Sequence, residues 1–252
     1  MRKIKSRIYQ KVRLHIPDFS FSIDFSEFLL DHIPPFIYFD RWSVQPFNGQ
    51  LKRFQTISWI CDAFEPTHAI ETGTFLGSST PYLSALVSEK TYSIEIDRKT
   101  AKKANDRFQK NHAKQNIELI VGDSAKEISK VLKLIDPKKS KVIAYLDAHW
   151  YDAIPTTEEI QSLNKWGGAW IAIIDDFKVD FDDGYGFDQY ENTIIGKKII
   201  PQIKDAALYV PYGQSEKETG RRKGTGYLFS KKAQTIVKPN LKKNLLKMLA
   251  KF

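Results

Sequence analysis

Five short apolar segments, each followed by a stretch with helical spacing, fill residues 68–175 and leave the chain few folds to choose from. They are HAIET (68–72), TYSIEI (91–96), IELIV (117–121), KVIAYLD (141–147) and AWIAIID (169–175). Each is close to continuously apolar rather than alternating, as expected of parallel strands covered on both faces. Between them the spacing predicts helices near 79–88, 98–113, 124–135 and 156–165. Repeated strand–helix units with right-handed crossovers build a doubly wound α/β sheet ordered 3-2-1-4-5. A helix precedes them, because Leu51, Phe54, Ile57, Ile60, Cys61 and Phe64 share one stripe. After them the pattern changes. A helix is expected near 190–205, then ALYVPYG (207–213) and TGYLFSK (225–231) joined by a polar turn, which reads as an antiparallel hairpin.

Composition narrows the class further. Of 252 residues, 42% are hydrophobic and 27% charged, an ordinary globular balance that excludes a disordered or fibrous chain. A single cysteine, Cys61, excludes an internal disulfide framework and a cysteine-zinc site. No apolar run approaches the roughly 18–20 residues that cross a bilayer, and the N-terminus lacks a secretory h-region. A reducing cytoplasmic location is expected. The net charge of +9 sits at the ends: residues 1–13 carry six basic residues and residues 231–252 seven, with no acid in either. The intervening body is slightly acidic, which argues against a nucleic-acid partner. We therefore divide the chain into a basic lead-in (1–50), a central α/β domain (51–231) and a basic amphipathic C-terminal segment (232–252). In the last, Leu241, Leu245, Met248, Leu249 and Phe252 share one helical face. Such a helix can dock on its own domain, pair in a homodimer, or hold the chain at the inner face of an anionic membrane.

The turn after the first strand, Glu71-Thr72-Gly73-Thr74-Phe75-Leu76-Gly77-Ser78-Ser79, has two glycines that allow a tight bend and close approach to a ligand at a helix N-terminus. Its G-x-x-x-G spacing differs from the G-x-G-x-x-G of dinucleotide pyrophosphate sites. An acid two residues before the first glycine suits a cationic, amine-bearing ligand such as S-adenosylmethionine. Glu95, 22 positions after Gly73, stands where a carboxylate accepts both hydroxyls of a ribose. Gly122-Asp123-Ser124 ends the third strand and can supply an adenine contact or simply cap the next helix. Asp147 ends the fourth strand, and Asp175 with Asp176 ends the fifth. Strands four and five are neighbours at the switch point, so three carboxylates converge there, and a hard divalent ion such as Mg²⁺ would neutralise them. The acidic loop 177–191 is excluded as a calcium loop by Tyr185 at its glycine position. It reads instead as a lid with Tyr185 and Phe187 as walls. Gln45–Gln50 is a turn that can close one side of the cofactor pocket.

The set ETGTFLGSS, YSIEID, GDS, YLDAHW and IIDDF resembles the metal-dependent class I O-methyltransferases, similar to catechol O-methyltransferase and more closely to the macrocin O-methyltransferase group. The likeness spans about residues 45–230. It implies a Rossmann-like, doubly wound sheet of seven strands in the order 3-2-1-4-5-7-6, the last antiparallel, with helices on both faces. It implies S-adenosylmethionine held by Glu71, Gly73, Gly77 and Ser79 at its methionine end, by Glu95 and Ile96 at the ribose, and by Asp123 and Ser124 at the adenine, with Asp147 alongside. Asp147, Asp175 and Asp176 resemble the metal ligands, and Trp150 and Tyr185 would touch the acceptor. The catechol branch has a lysine base just after its tryptophan; here Tyr151 follows Trp150, which leaves His149 as the expected base, acting with Asp147. The expected activity is methyl transfer to a hydroxyl of a small molecule or sugar. The alternatives are another Rossmann-like nucleotide-dependent enzyme and a silent, membrane-associated member of the fold.

Overall fold

The computed structural model describes residues 46–110, 116–149, 154–213, 215–237 and 246–252. Its order is α1 (Leu51–Phe64), β1 (His68–Thr72), α2 (Thr80–Ala85), β2 (Lys90–Glu95), α3 (Arg98–Lys110), β3 (Ile117–Val121), α4 (Ser124–Lys133), β4 (Lys141–Leu146), α5 (Thr156–Trp166) and β5 (Ala169–Ile174). A two-stranded ribbon of β6 (Gln189–Tyr190) and β7 (Thr193–Ile194) follows, then β8 (Ala207–Pro211), β9 (Gly226–Phe229), α6 (Lys231–Val237) and β10 (Leu246–Lys251). The main sheet runs β10-β8-β9-β5-β4-β1-β2-β3. Strands β1 to β5 are mutually parallel, and β9 lies antiparallel between β5 and β8. The expected order is present, with an eighth strand added at the β8 edge.

Both faces of the sheet are covered, which explains the unbroken apolar strands. On β4, Val142, Ala144 and Leu146 point to a core shared with Ile128 and Val131 of α4 and Ile160 and Leu163 of α5. Ile143 and Tyr145 point the other way, to Ile57, Ile60 and Phe64 of α1, Leu83 of α2 and Val237 of α6. The parallel strands bring their C-terminal ends to one edge, and the order in which strands are added reverses between β1 and β4, the switch point outside which such sheets carry their ligand crevice.

Two expectations are corrected. Residues 246–251 form a strand, not the end of an amphipathic helix, pairing antiparallel with β8 and bulging between Met248 and Ala250. The open edge of β8 offers a full row of backbone partners, and Leu246 joins one core while Leu249 and Phe252 pack on the other; tertiary pairing overrides helical periodicity. Residues 238–245, with Leu241 and Leu245 of the expected helical face, lie outside the described residues, as does the basic segment 1–13. The second correction concerns 190–205, which holds the β6–β7 ribbon and a short 3-10 turn, Lys197–Ile199. Pro201 cannot donate in a helix interior, and Glu191 adopts a positive φ of 47° that ends regular structure at the ribbon. Among the described residues, no helix is long and apolar enough to cross a membrane.

Candidate functional site

The turn after β1 is built around two glycines. Gly73 has φ +76°, and a Cβ there would lie 2.2 Å from the main-chain oxygen of Asp147. Its N–H donates to the carbonyl of Ile94 (2.9 Å), tying the turn to β2. Gly77, φ +70°, faces the ring of Phe108 on α3, where a Cβ would approach to 2.5 Å. Only glycine serves at either place. Glu71 lies fully buried beneath this turn, and its carboxylate accepts from the hydroxyls of Ser79, Thr80 and Ser93. Burial pushes that carboxyl upward, and the three hydroxyls pull it part-way back. Glu71 and Ser79 thus brace the turn from below.

Glu95 ends β2 and accepts from the backbone N–H of Phe75 (2.7 Å) and of Asp97 (3.0 Å). Beside it stand three exposed apolar side chains: Phe75 (48% exposed), Ile96 (74%) and Val121 at the end of β3 (46%). Phe75 holds a left-handed φ of 49°, an uncommon conformation for an aromatic residue. Asp123 caps α4, accepting from Ala125 N–H and pairing with Lys126, while Ser124 is buried. The structure therefore brings Gly73, Gly77, Glu95, Ile96 and Asp123 to the ends of three adjacent strands.

The acids at β4 and β5 divide into two sets. Asp175 is buried and fully engaged: Arg53 of α1 pairs with it, Tyr145 donates at 2.6 Å, Asn48 at 3.1 Å, and the N–H of Asp176 at 2.7 Å. Its lone pairs are spent on holding α1 and the Pro46–Gly49 turn against β5, so the structure withdraws Asp175 from the expected ligand trio. Within the expected Gln45–Gln50 turn, Asn48 and Phe47 close over Asp175 and Tyr145, the Phe47 and Tyr145 rings packing at 5.2 Å. In place of Asp175 stands His149, 1% exposed, whose Nε2 lies 3.9 Å from Asp147 and 3.8 Å from Asp176. Neither imidazole nitrogen has a hydrogen-bond partner. Burial pushes Asp147 well above the usual carboxylate range, the charges of Asp175 and Asp176 add to this, and Arg53 opposes it. Asp176, with φ 51°, is raised by burial and by Asp175, with His149 and Lys223 opposing.

Two further residues face this group without any expectation from sequence. Lys223, from the β8–β9 connection, pairs with Asp188 and lies 3.6 Å from Asp176. Glu159 of α5 is wholly buried with both carboxylate oxygens unpartnered, and it feels the hydroxyls of Ser124 and Thr72 and the imidazole of His149. Glu159 was detectable: it sits on the stripe Thr156, Glu159, Ile160, Leu163, where an acid on a buried face is anomalous. Tyr185, expected as an acceptor wall, is instead buried in the core beside Val179 and Ile195, because the 177–191 loop folds back against the β8–β9 connection through Gly186. Phe187 remains 37% exposed. Trp150 lies outside the described residues.

Donor atoms of Asp147, His149 and Asp176 all lie within 4.8 Å of one another. That spacing matches ligands around one ion at about 2.0–2.6 Å each. The orphaned buried imidazole calls for a partner, so this residue set fits a divalent ion.

No protein-family model matches the sequence, and no curated protein matches it. Solved structures are similar at low identity. The O-methyltransferase TomG from Streptomyces achromogenes, involved in tomaymycin synthesis and solved with SAM, is 14% identical, covering 90% of this chain and 89% of its own, with a TM-score of 0.44. An rRNA methylase from Streptococcus thermophilus is 15% identical over 70% of this chain and 93% of its own, at 0.43. Spermidine synthase from Thermotoga maritima is 12% identical over 72% of this chain and 60% of its own, at 0.46. Likenesses this distant decide nothing about the chemistry of this chain, which has to be read from its own side chains.

Proposed function

We propose that the chain is an S-adenosylmethionine-dependent O-methyltransferase acting on a hydroxyl of a small molecule or sugar. The observation that carries this reading is the contact between Gly73 and the main chain of Asp147. It puts the turn suited to a sulfonium cofactor directly against the residue that heads the Asp147–His149–Asp176 group, so methyl donor and acceptor would meet across one van der Waals contact. Glu95 would turn from the backbone N–H groups of Phe75 and Asp97 to the ribose hydroxyls, with Ile96, Phe75 and Val121 flanking the adenine.

Transfer needs an acceptor oxygen in line with the S–CH₃ bond. The O–C bond forms as the C–S bond breaks, its electron pair goes to sulfur, and the hydroxyl proton must leave. His149 Nε2 is the uncommitted base in reach, and Asp147 and Asp176 on either side would stabilise the imidazolium. A divalent ion on the same three residues would acidify and orient the hydroxyl. With an imidazole among the donors, Mn²⁺ suits the set at least as well as the Mg²⁺ expected from carboxylates alone. Nε2 cannot be ligand and base in one turnover, so bound ion and free imidazole compete.

Calorimetry with S-adenosylhomocysteine tests the cofactor half. Binding is expected for that ligand and not for NAD, and Glu95→Ala should weaken it by roughly 1.5–3 kcal/mol through lost charge-assisted hydrogen bonds. Affinity untouched by the substitution would remove Glu95 from the site; NAD binding in its place would end the methyltransferase reading.

A further inference from the structure

We propose that Lys223 is the resident counter-cation of the acid group, and that its ammonium sets how tightly Asp147, His149 and Asp176 hold a divalent ion. The proposal rests on reading those three residues as an ion site. Its observations are separate. The main chain of Lys223 is clamped on both sides: Gln50 accepts its N–H and donates to its carbonyl, each at 2.8 Å, and Arg53 donates to the same carbonyl at 2.6 Å. Gln50 and Arg53 are both 2% exposed. The flanking residues are fixed as well, since Gly186 donates to the carbonyl of Arg222 and accepts from Gly224. The lysine stem crosses Gly186, whose missing side chain leaves Cδ 3.4 Å from where a Cβ would sit.

So rigid a base delivers the ammonium to one place. There it pairs with Asp188, which Tyr190 also holds at 3.0 Å, and it faces Asp176 Oδ1 at 3.6 Å. Asp176 divides its two oxygens, Oδ1 toward Lys223 and Oδ2 toward His149. A charge of +1 beside one oxygen of a ligand repels a charge of +2 beside the other. At this range and in a half-buried setting the repulsion is large enough to govern affinity. Lys223 therefore holds Asp176 aligned without an ion, and it limits the affinity of any ion that enters.

The experiment is Mn²⁺ titration calorimetry on the full chain: wild type, Lys223→Met, Lys223→Gln and Lys223→Arg. S-adenosylhomocysteine affinity and circular dichroism serve as checks that each variant is folded. Met keeps the stem without charge, Gln is a second neutral variant should Met fold poorly, and Arg keeps the charge. The neutral variants should bind Mn²⁺ about tenfold or more tightly than wild type, with Arg close to wild type. Ion binding by the neutral variants alone would support the role of Lys223 while overturning ion assistance in the wild type. Equal or weaker binding in the neutral variants, binding in none of the proteins, or an Arg variant that follows Met would overturn the proposal. Retained S-adenosylhomocysteine binding in those cases would leave the methyltransferase reading standing.

Discussion

Replacing His149 by alanine should slow methyl transfer by something like 10²–10⁴-fold in ion-stripped protein, while affinity for S-adenosylhomocysteine stays near wild type. The side chain lies between two carboxylates with both nitrogens unpartnered. Its fixed orientation comes from its surroundings: the hydroxyl of Tyr190 donates to its carbonyl at 2.6 Å, and the two rings meet edge-on at 6.2 Å. An alanine leaves that backbone contact intact, so the loss should appear in turnover and not in folding. The acceptor comes first, from a screen with labelled cofactor; the variant is then compared with and without Mn²⁺. A change under a few-fold in stripped protein would reduce His149 to a structural residue. A large loss confined to the Mn²⁺-loaded enzyme would make it a ligand and not the base.

Glu159→Gln should make the protein more stable at pH 8 by up to about 3 kcal/mol, and leave it nearly unchanged at pH 4.5. Burial pushes the Glu159 carboxyl from 4.5 to about 7, the hydroxyls of Ser124 and Thr72 and the imidazole of His149 restraining the rise. Below pH 4.5 folded and unfolded chains both hold the proton, and the carboxyl costs nothing. Between 4.5 and about 7 the unfolded chain releases it first, so stability falls as pH rises. Above 7 the folded protein carries a buried carboxylate that the Ser124 and Thr72 hydroxyls offset only in part, and the penalty is constant. Glutamine never ionises and keeps the shape. Urea unfolding of both proteins across pH 4.5–8 measures the difference; a gap that does not widen with pH would mean Glu159 is already neutral or solvated in the fold.

The parallel half of the sheet was legible because each strand carries its own signal: unbroken apolar runs followed by helical stripes. The turn after β1 was legible for a related reason, since a left-handed φ at Gly73 and Gly77 demands glycine at the level of sequence. What failed was decided at long range. Asp175 and Asp176 are indistinguishable as neighbours in IIDDF, and only Arg53, Tyr145 and Asn48, arriving from elsewhere, show which is already taken. Lys223 sits among Arg221 and Arg222 in a polar turn, where nothing local sets it apart. The β10 residues have helical spacing and become a strand because β8 offers an edge. Local chemistry predicts elements; competition among distant partners assigns them.

The two sides of the crevice are anchored very differently. The turn after β1 makes its hydrogen bonds within one contiguous stretch of chain, between Glu71 and Arg107, and meets the other side only where Gly73 packs against Asp147. The Asp175 side depends on α1 and the β8–β9 connection, joined through Arg53, Gln50 and Glu218, which caps α1 from 165 or more positions away. Under mild denaturant these should open as separate cooperative units. Amide hydrogens of α1 and of residues 218–224 would exchange with solvent together, while those of β1 and β2 stay protected. On the proposed methyltransferase reading, that partly opened state would still bind S-adenosylmethionine with no acceptor site to deliver the methyl to. Binding and turnover would then be lost at different denaturant concentrations, turnover first.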